Sequence, residues 1–303
     1  MIIDINEDPW EEDDEEIAGE LITADSIEFE SKYDEDNLPP HIQQMLSGKF
    51  DVNKPPKELL NPILTHNFSP GQTRDSDLAG RGDIVVIGGG DGAGKTALMG
   101  AIMSSAFTSK LKYTFGFKLN LNPGNMMIHI DTEQGGRSYY NYNKRLAKTS
   151  GYEQGNLPNF LSYPLASLDF DQRVDAIEYL VLKHSKKLDV LVIDGALDLV
   201  VNMNDTDSCA LLLQRMLDWK EIADCTIIIM MHMPKGMQDS EILIGTLGSF
   251  LSRKATTIMG VYHIAEAGMK KVKLIKDRIG DKLPTIEFYF DKKEKVPILN
   301  KIT

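Results

Sequence analysis

Cysteine is nearly absent: Cys209 and Cys225 are the only two in 303 residues. Two are too few to staple a domain of this size, and they lack the paired spacing of a zinc site. Disulfide scaffolds and zinc modules are excluded, and both thiols read as small apolar residues of a reducing compartment. Long apolar runs are missing too, with nothing near the ~18 residues of a membrane span. The start offers no basic-apolar leader either, since Met1 runs straight into Asp4, Glu7 and Asp8. A soluble, intracellular (cytoplasmic) protein with no membrane partner is the expectation. Basic residues are scarce only at one end: residues 1–37 hold 16 acidic side chains and the single base Lys32. The formal charge of -12 is therefore the tail's, because the other 266 residues carry 29 acids and 32 bases. Overall charge does not decide for or against a nucleic-acid partner.

Residues 1–37 include the unbroken acidic block Glu11 to Glu16 and only scattered apolar side chains, which cannot bury enough surface to fold alone. They read as a disordered acidic tail, either merely solvating, or a docking segment for a protein partner or a nucleic-acid mimic that competes for a basic channel. Residues 38–80 read as a linker arm, with a short helix over His41 to Leu46 and then Pro55, Pro56, Pro62 and Pro70. Residues 81–303 read as one α/β domain. Met126–Ile130, Leu188–Ile193 and Thr226–Met231 are continuously apolar, as strands covered on both faces are. Helices are expected over 171–186, with Asp169 and Gln172 at capping-box spacing, and over 208–222, where Leu212, Met216 and Trp219 share a face. Three antiparallel strands, 256–265, 271–277 and 285–290, are expected to close the domain. The fold class predicted is thus a mostly parallel sheet flanked by helices, with a C-terminal antiparallel extension.

One motif dominates. Gly89, Gly90, Asp91, Gly92, Ala93, Gly94, Lys95 and Thr96 follow the apolar run 83–87 and open a helical pattern at Ala97. This is G-x-x-x-x-G-K-[ST] in a strand–loop–helix setting, where glycines let backbone N–H groups wrap phosphate oxygens at a helix N-terminus. The nine residues Gly89 to Ala97 are the expected ATP cradle. Lys95 meets the β- and γ-phosphates, and Thr96 a Mg2+ ion.

In an open parallel sheet, ligands sit beyond the carboxyl ends of the strands. Asp194, after Leu191-Val192-Ile193, is placed to hold a water on Mg2+, with a turn or cap role as the plain alternative. Asp198 is a weaker candidate. Glu133 is the expected orienter or base for the attacking water, or else a first-turn helix acid, and Asp131 supports the metal shell or caps the turn. His232 is the expected γ-phosphate partner, or a satisfied structural histidine. Lys276 and Arg278, two apart on a strand, share a face. They are either a solvated basic edge, following Lys270, Lys271 and Lys273, or cations offered to a neighbouring subunit's ATP.

Taken together, Gly-Gly-Asp-Gly-Ala-Gly-Lys-Thr, Ile-Asp-Thr-Glu-Gln, Leu-Val-Ile-Asp-Gly, Ile-Met-Met-His and Lys-Asp-Arg resemble the RecA-like P-loop ATPases of the RepA and DnaB helicase group, above all RepA-like ATPases of phages and mobile elements. The resemblance spans about residues 60–295. It implies a RecA-type NTPase core in a hexameric homo-oligomer with ATP at each interface. It further implies Glu133 as catalytic carboxylate, His232 as γ-phosphate sensor, and Lys276 with Arg278 acting in trans. The implied activity is an ATP-driven motor on single-stranded DNA in replication or recombination. In such proteins the segments matching 195–205 and 233–244 line the ring's channel. Here they hold one base, Lys235, against Asp198, Asp205, Asp239 and Glu241, and no Arg precedes Gly245-Thr246-Leu247-Gly248. Phosphate binding draws on cations or backbone N–H groups, so a regulatory ATPase that controls a protein partner stands as the alternative. A small-molecule kinase shares the phosphate loop but has no need of Lys276 and Arg278.

Overall fold

The computed structural model describes residues 43, 62–67, 75–153, 156–234, 240–264, 268–279 and 283–303. The chain divides into two compact units, Met1–Lys54 and Pro55–Thr303, and the fold below is that of the second. The acidic tail lies outside the described residues. Of the helix expected over 41–46 only Gln43 is described, in helical conformation.

Twelve strands are described: β1 (Leu64–His66), β2 (Ser76–Ala79), β3 (Ile84–Gly89), β4 (Phe117–Leu119), β5 (Met126–Asp131), β6 (Phe160–Pro164), β7 (Leu188–Asp194), β8 (Thr226–His232), β9 (Thr257–His263), β10 (Met269–Asp277), β11 (Ile286–Asp291) and β12 (Val296–Ile302). The helices are α1 (Lys95–Ser104), α2 (Leu111–Thr114), α3 (Gly136–Ser150), α4 (Phe170–His184), α5 (Thr206–Ala223) and α6 (Gly245–Lys254). Nine strands form one sheet in the order β12-β11-β10-β9-β3-β8-β7-β5-β6. The run from β9 to β6 is parallel, and β10, β11 and β12 continue it antiparallel. The protein is therefore α/β, with a large mostly parallel sheet flanked by helices and antiparallel strands at its C-terminal end.

The continuous apolar strands have the cause expected of them. Val85, Ile87, Val190, Val192, Ile228 and Met230 face a core completed by α1 and α3. Their neighbours Ile84, Val86, Leu191, Ile193, Ile227 and Ile229 face a second core completed by α4, α5 and α6, where Trp219 is fully buried. With period-2 alternation and a core on each face, successive residues in the middle of these strands are all apolar, and polar groups such as Asp189 and Asp194 fall near the strand ends. The two cysteines are buried among this packing, and burial pushes the Cys225 thiol up to about 12. At this value the thiol is inert.

α4 starts one residue before its expected position. Its capping box is present in both halves: Gln172 N donates to Asp169 Oδ1 at 2.9 Å, and Asp169 N donates to Gln172 Oε1 at 3.3 Å. Five strands escape a sequence reading, among them β6, which is only half-buried and so shows no unbroken apolar run. β1 and β2 lie inside the stretch read as an arm, where they join β4 in a separate three-stranded sheet and bury Ile63, Leu64, Leu78 and Ala79. At three or four residues they are too short to show alternation. β12 is an edge strand that carries Pro297, a residue a sheet tolerates only at its edge, so its pattern looks broken in the sequence.

A buried ion pair fastens the amino-terminal edge of the parallel strands. Arg81, just before β3, donates to Asp189 of β7 at 2.5 Å, and Asp189 is 2% exposed. The same carboxylate accepts from Asn125 Nδ2 at 2.8 Å and from the backbone N–H of Asn122. Removing one partner of such a pair strands the other charge. Arg81→Ala should therefore lower the unfolding free energy by about 3 kcal/mol, measured by denaturant titration. A loss below about 1 kcal/mol would mean that the pair is effectively a surface contact.

Candidate functional site

Register brings four strand ends to one level. Gly89 of β3 is opposite His232 of β8, and Asp131 of β5 is opposite Asp194 of β7. In sheet order these four strands are neighbours, so the residues just beyond them converge on one edge.

At the first end the chain turns through Gly90–Gly94 into α1. Gly94 holds φ 106°, which an L side chain rarely adopts, and a Cβ there would come 3.0 Å from the Phe288 ring of β11. α1 begins with no acidic residue in its first turn and no side chain capping it, so no residue of its own first turn offsets the positive dipole end. Lys95 Nζ is drawn over the turn, donating to Gly89 O at 3.0 Å and Gly90 O at 3.3 Å. The next residue, Thr96, donates to Asp194 Oδ2 at 3.4 Å. A glycine turn leading into an uncapped helix start beside a lysine suits an anion carrying several oxygens. The hydroxyl and carboxylate oxygens of Thr96 and Asp194 are hard donors that suit Mg2+.

Hydrogen bonds shape the end of β5. Asp131 Oδ1 accepts the backbone N–H of Glu133 at 3.1 Å and of Gln134 at 2.7 Å, so it does cap the turn. The Thr132 hydroxyl lies within 3.0 Å of Asp194 O, Gly195 O and Asp198 Oδ2. Asp198 is thus tied to this turn and does not project from the sheet edge. Gly195 has φ +103°, and a Cβ on it would overlap Thr132 Oγ1 and stand 2.8 Å from Glu133 Cγ. This close approach sets where Glu133 sits. His232 bridges the turns: Nδ1 is 3.1 Å from Asp91 Oδ1 and Nε2 is 3.3 Å from Glu133 Oε1.

Electrostatics differ among the carboxylates. The His232 contact holds the Glu133 carboxyl below its ordinary value, so Glu133 is an anion. Burial, reinforced by Asp131 and Glu133, pushes Asp194 up to about 7. Asp131 is raised chiefly by burial. Burial lowers Lys95, opposed by Glu133, Asp194 and Asp91. A divalent cation beside Thr96 would relieve the Asp194 penalty, and on that ground the residues fit one.

Lys276 and Arg278 stand elsewhere. Asp277 pairs with Thr257, which lies beside Val85 at the beginning of β3, while Gly89 lies beside Val261. Four residues of strand, about 13 Å, separate the two levels. Lys276 donates to Ser252 O at 2.5 Å, and Arg278 donates to Arg253 O, so both cap the carbonyl end of α6. Their shared face agrees with the spacing, and within one chain they take no part in the cluster. Sequence reading missed two nearby groups. Lys270 was read as part of a basic edge, yet its Cγ is 3.5 Å from the position of a Cβ on Gly94, and its Nζ is 2.6 Å from His263 Nδ1. His129, two residues before Asp131, is fully buried, and burial lowers its pKa to about 3. A lone histidine in an apolar run carries no sequence signal.

The sign of a pH effect follows from Asp194. Its folded value of about 7 exceeds the ordinary 3.8, so in metal-free protein it costs stability most above pH 7 and progressively less as pH falls toward 4. Asp194→Asn in chelator should raise the unfolding free energy at pH 8 by at least about 1 kcal/mol, measured by denaturant titration, with the gain shrinking toward pH 4. A pH-independent effect would show that Asp194 is not so perturbed.

Among the described residues, no helix is long and apolar enough to cross a membrane. No protein-family model matches the chain, and no curated protein matches it either.

Proposed function

We propose that the chain is an ATPase with a RecA-like P-loop core, a ring-forming motor of the RepA and DnaB kind acting on single-stranded DNA in replication or recombination of a phage or mobile element. One observation carries the reading. Lys95, Thr96, Glu133, Asp194 and His232 come from four neighbouring strand ends and meet around one glycine-rich turn. Their chemistry matches what phosphoryl transfer to water needs.

In this reading the α1 N-terminus and the Lys95 ammonium bind the β- and γ-phosphates. Mg2+, held through Thr96 and Asp194, supplies neutralising charge when bound. Glu133, kept anionic by His232, accepts a proton from the attacking water as its oxygen bonds to the γ-phosphorus and the bond to the ADP oxygen breaks. The products are ADP and inorganic phosphate. His232 is shared between Asp91 of the turn and Glu133, so loss of the γ-phosphate shifts its hydrogen bonds at the head of segment 233–244. Lys276 and Arg278 serve the ATP of an adjacent subunit, since they lie at the far edge of their own sheet.

A regulatory ATPase that controls a protein partner is the second reading, and one observation favours it. Segment 195–205 has no base, Asp198 is tied inward, and Val201 and Ile242 are exposed by about two thirds. Apolar side chains on those segments suit a protein surface better than phosphates.

Glu133→Gln and Lys95→Ala should each reduce ATP turnover by at least about a hundredfold, measured by phosphate release. Full turnover in both removes the ATPase reading. Mixing Lys95→Ala with Arg278→Ala chains should restore part of the activity, because some interfaces then pair an intact Lys95 with an intact Arg278. A mixture no more active than its parts contradicts action in trans. Single-stranded DNA should raise the wild-type rate at low salt. No stimulation at low or moderate salt favours the regulatory reading.

A further inference from the structure

Behind the edge where Lys95 and Thr96 gather, β5 and β7 bury a second polar group. One ring nitrogen of His129 and one carboxylate oxygen each of Asp131 and Asp194 lie within 4.8 Å of one another. All three residues are at most 2% exposed. His129 Nδ1 is taken by Ser162 Oγ at 2.9 Å, and that hydroxyl accepts from Tyr139 OH at 2.8 Å. His129 Nε2 and Asp131 Oδ2 are buried with no hydrogen-bond partner among the described residues, and so is the hydroxyl of Tyr142, whose ring centre is 5.4 Å from that of His129. Unpartnered buried polar atoms are rare, because each costs about 1–3 kcal/mol. Three of them, one on the Asp131 carboxylate that faces Asp194, call for an occupant that accepts lone pairs.

We propose that His129, Asp131 and Asp194 bind a divalent transition-metal ion of the Mn2+ to Zn2+ series, distinct from the Mg2+ held with nucleotide at Thr96. An imidazole nitrogen with two carboxylate oxygens is a donor set for these ions, whereas Mg2+ prefers an all-oxygen shell. Bonds of about 2.0–2.2 Å place ligand atoms at most about 4.4 Å apart, so the present spread closes with a shift of a few tenths of an ångström. Ser162 acts as the outer partner that fixes the histidine ring, as groups behind metal-bound histidines do. The dication turns the repulsion between Asp131 and Asp194 into attraction to a common centre. In the folded chain it sets the charge behind the phosphate-facing edge through Asp194, which the two sites share.

The full-length chain, stripped with a chelator and kept free of nucleotide, is titrated with Zn2+ in millimolar Mg2+ by calorimetry and by thermal unfolding. One ion per chain should bind and raise the midpoint. His129→Gln should abolish that binding, Ser162→Ala should weaken it by about tenfold, and Lys95→Ala should leave it intact. Binding of Co2+ in place of Zn2+ should give a visible absorption band in wild type. Ser162→Ala keeps the ligand set, so it remains a test even where His129→Gln fails to fold. Absence of a tight site in wild type, or equal affinity in wild type, Ser162→Ala and any folded His129→Gln, overturns the proposal. Since no nucleotide is present, that result leaves the ATPase reading untouched, and loss of turnover in Lys95→Ala leaves this site untouched.

Discussion

The charge of Asp194 at the end of a buried strand is the constraint around which this edge of the molecule is organised. β7 is covered on both faces, and its register with β5 sets a second carboxylate, Asp131, directly opposite. Burial of two like charges raises both pKa values, and Asp194 reaches about 7. The nearby groups temper that cost. Thr96 donates a hydrogen bond, Lys95 adds a positive charge within Coulombic reach, and Asp131 spends one oxygen on the backbone of its own turn. A site assembled from such groups is built for cations and for the anions that cations accompany.

Backbone geometry makes the crowding specific. The turn after β5 and the turn after β7 are locked by Thr132 against Asp194 and Gly195, at a place where only a glycine leaves room for Glu133. Glu133 is then the carboxylate that remains an anion, because the His232 hydrogen bond outweighs its partial burial. Asp194 and Glu133 therefore differ in environment more than in chemistry. One is suited to a metal shell and the other to taking a proton. The antiparallel meander contributes from the side, where Phe288 and Lys270 press on the glycine turn from β11 and β10.

Much of this was legible beforehand, for physical reasons that can be named. The parallel strands β3, β5, β7 and β8 showed themselves because double coverage forces unbroken apolar runs, whereas half-buried β6 did not, and the strand ends followed wherever a run stopped at Asp131, Asp194 or His232. The capping box of α4 is a four-residue signal that depends on nothing distant, and it was read correctly from Asp169 and Gln172. β1, β2 and β4 were invisible because strands of three or four residues have no period, and their stability comes from one another and from the core beneath. Lys270 and His129 were invisible as site neighbours because each owes its place to a strand pairing.

The sequence by itself determined the local conformations: the glycine turn into α1, the long apolar strands, the helices α4 and α5, and which residues stand at the ends of those strands. Those depend on steric freedom at glycine, side-chain hydrogen bonds over three or four residues and apolar periodicity, all of them short-range. Tertiary structure decided which ends are neighbours, that Asp131 faces Asp194, that His232 spans Asp91 and Glu133, and that Lys276 and Arg278 fall at the opposite edge of the sheet. Strand order and register are set by packing between segments tens of residues apart, and no local pattern encodes that arrangement.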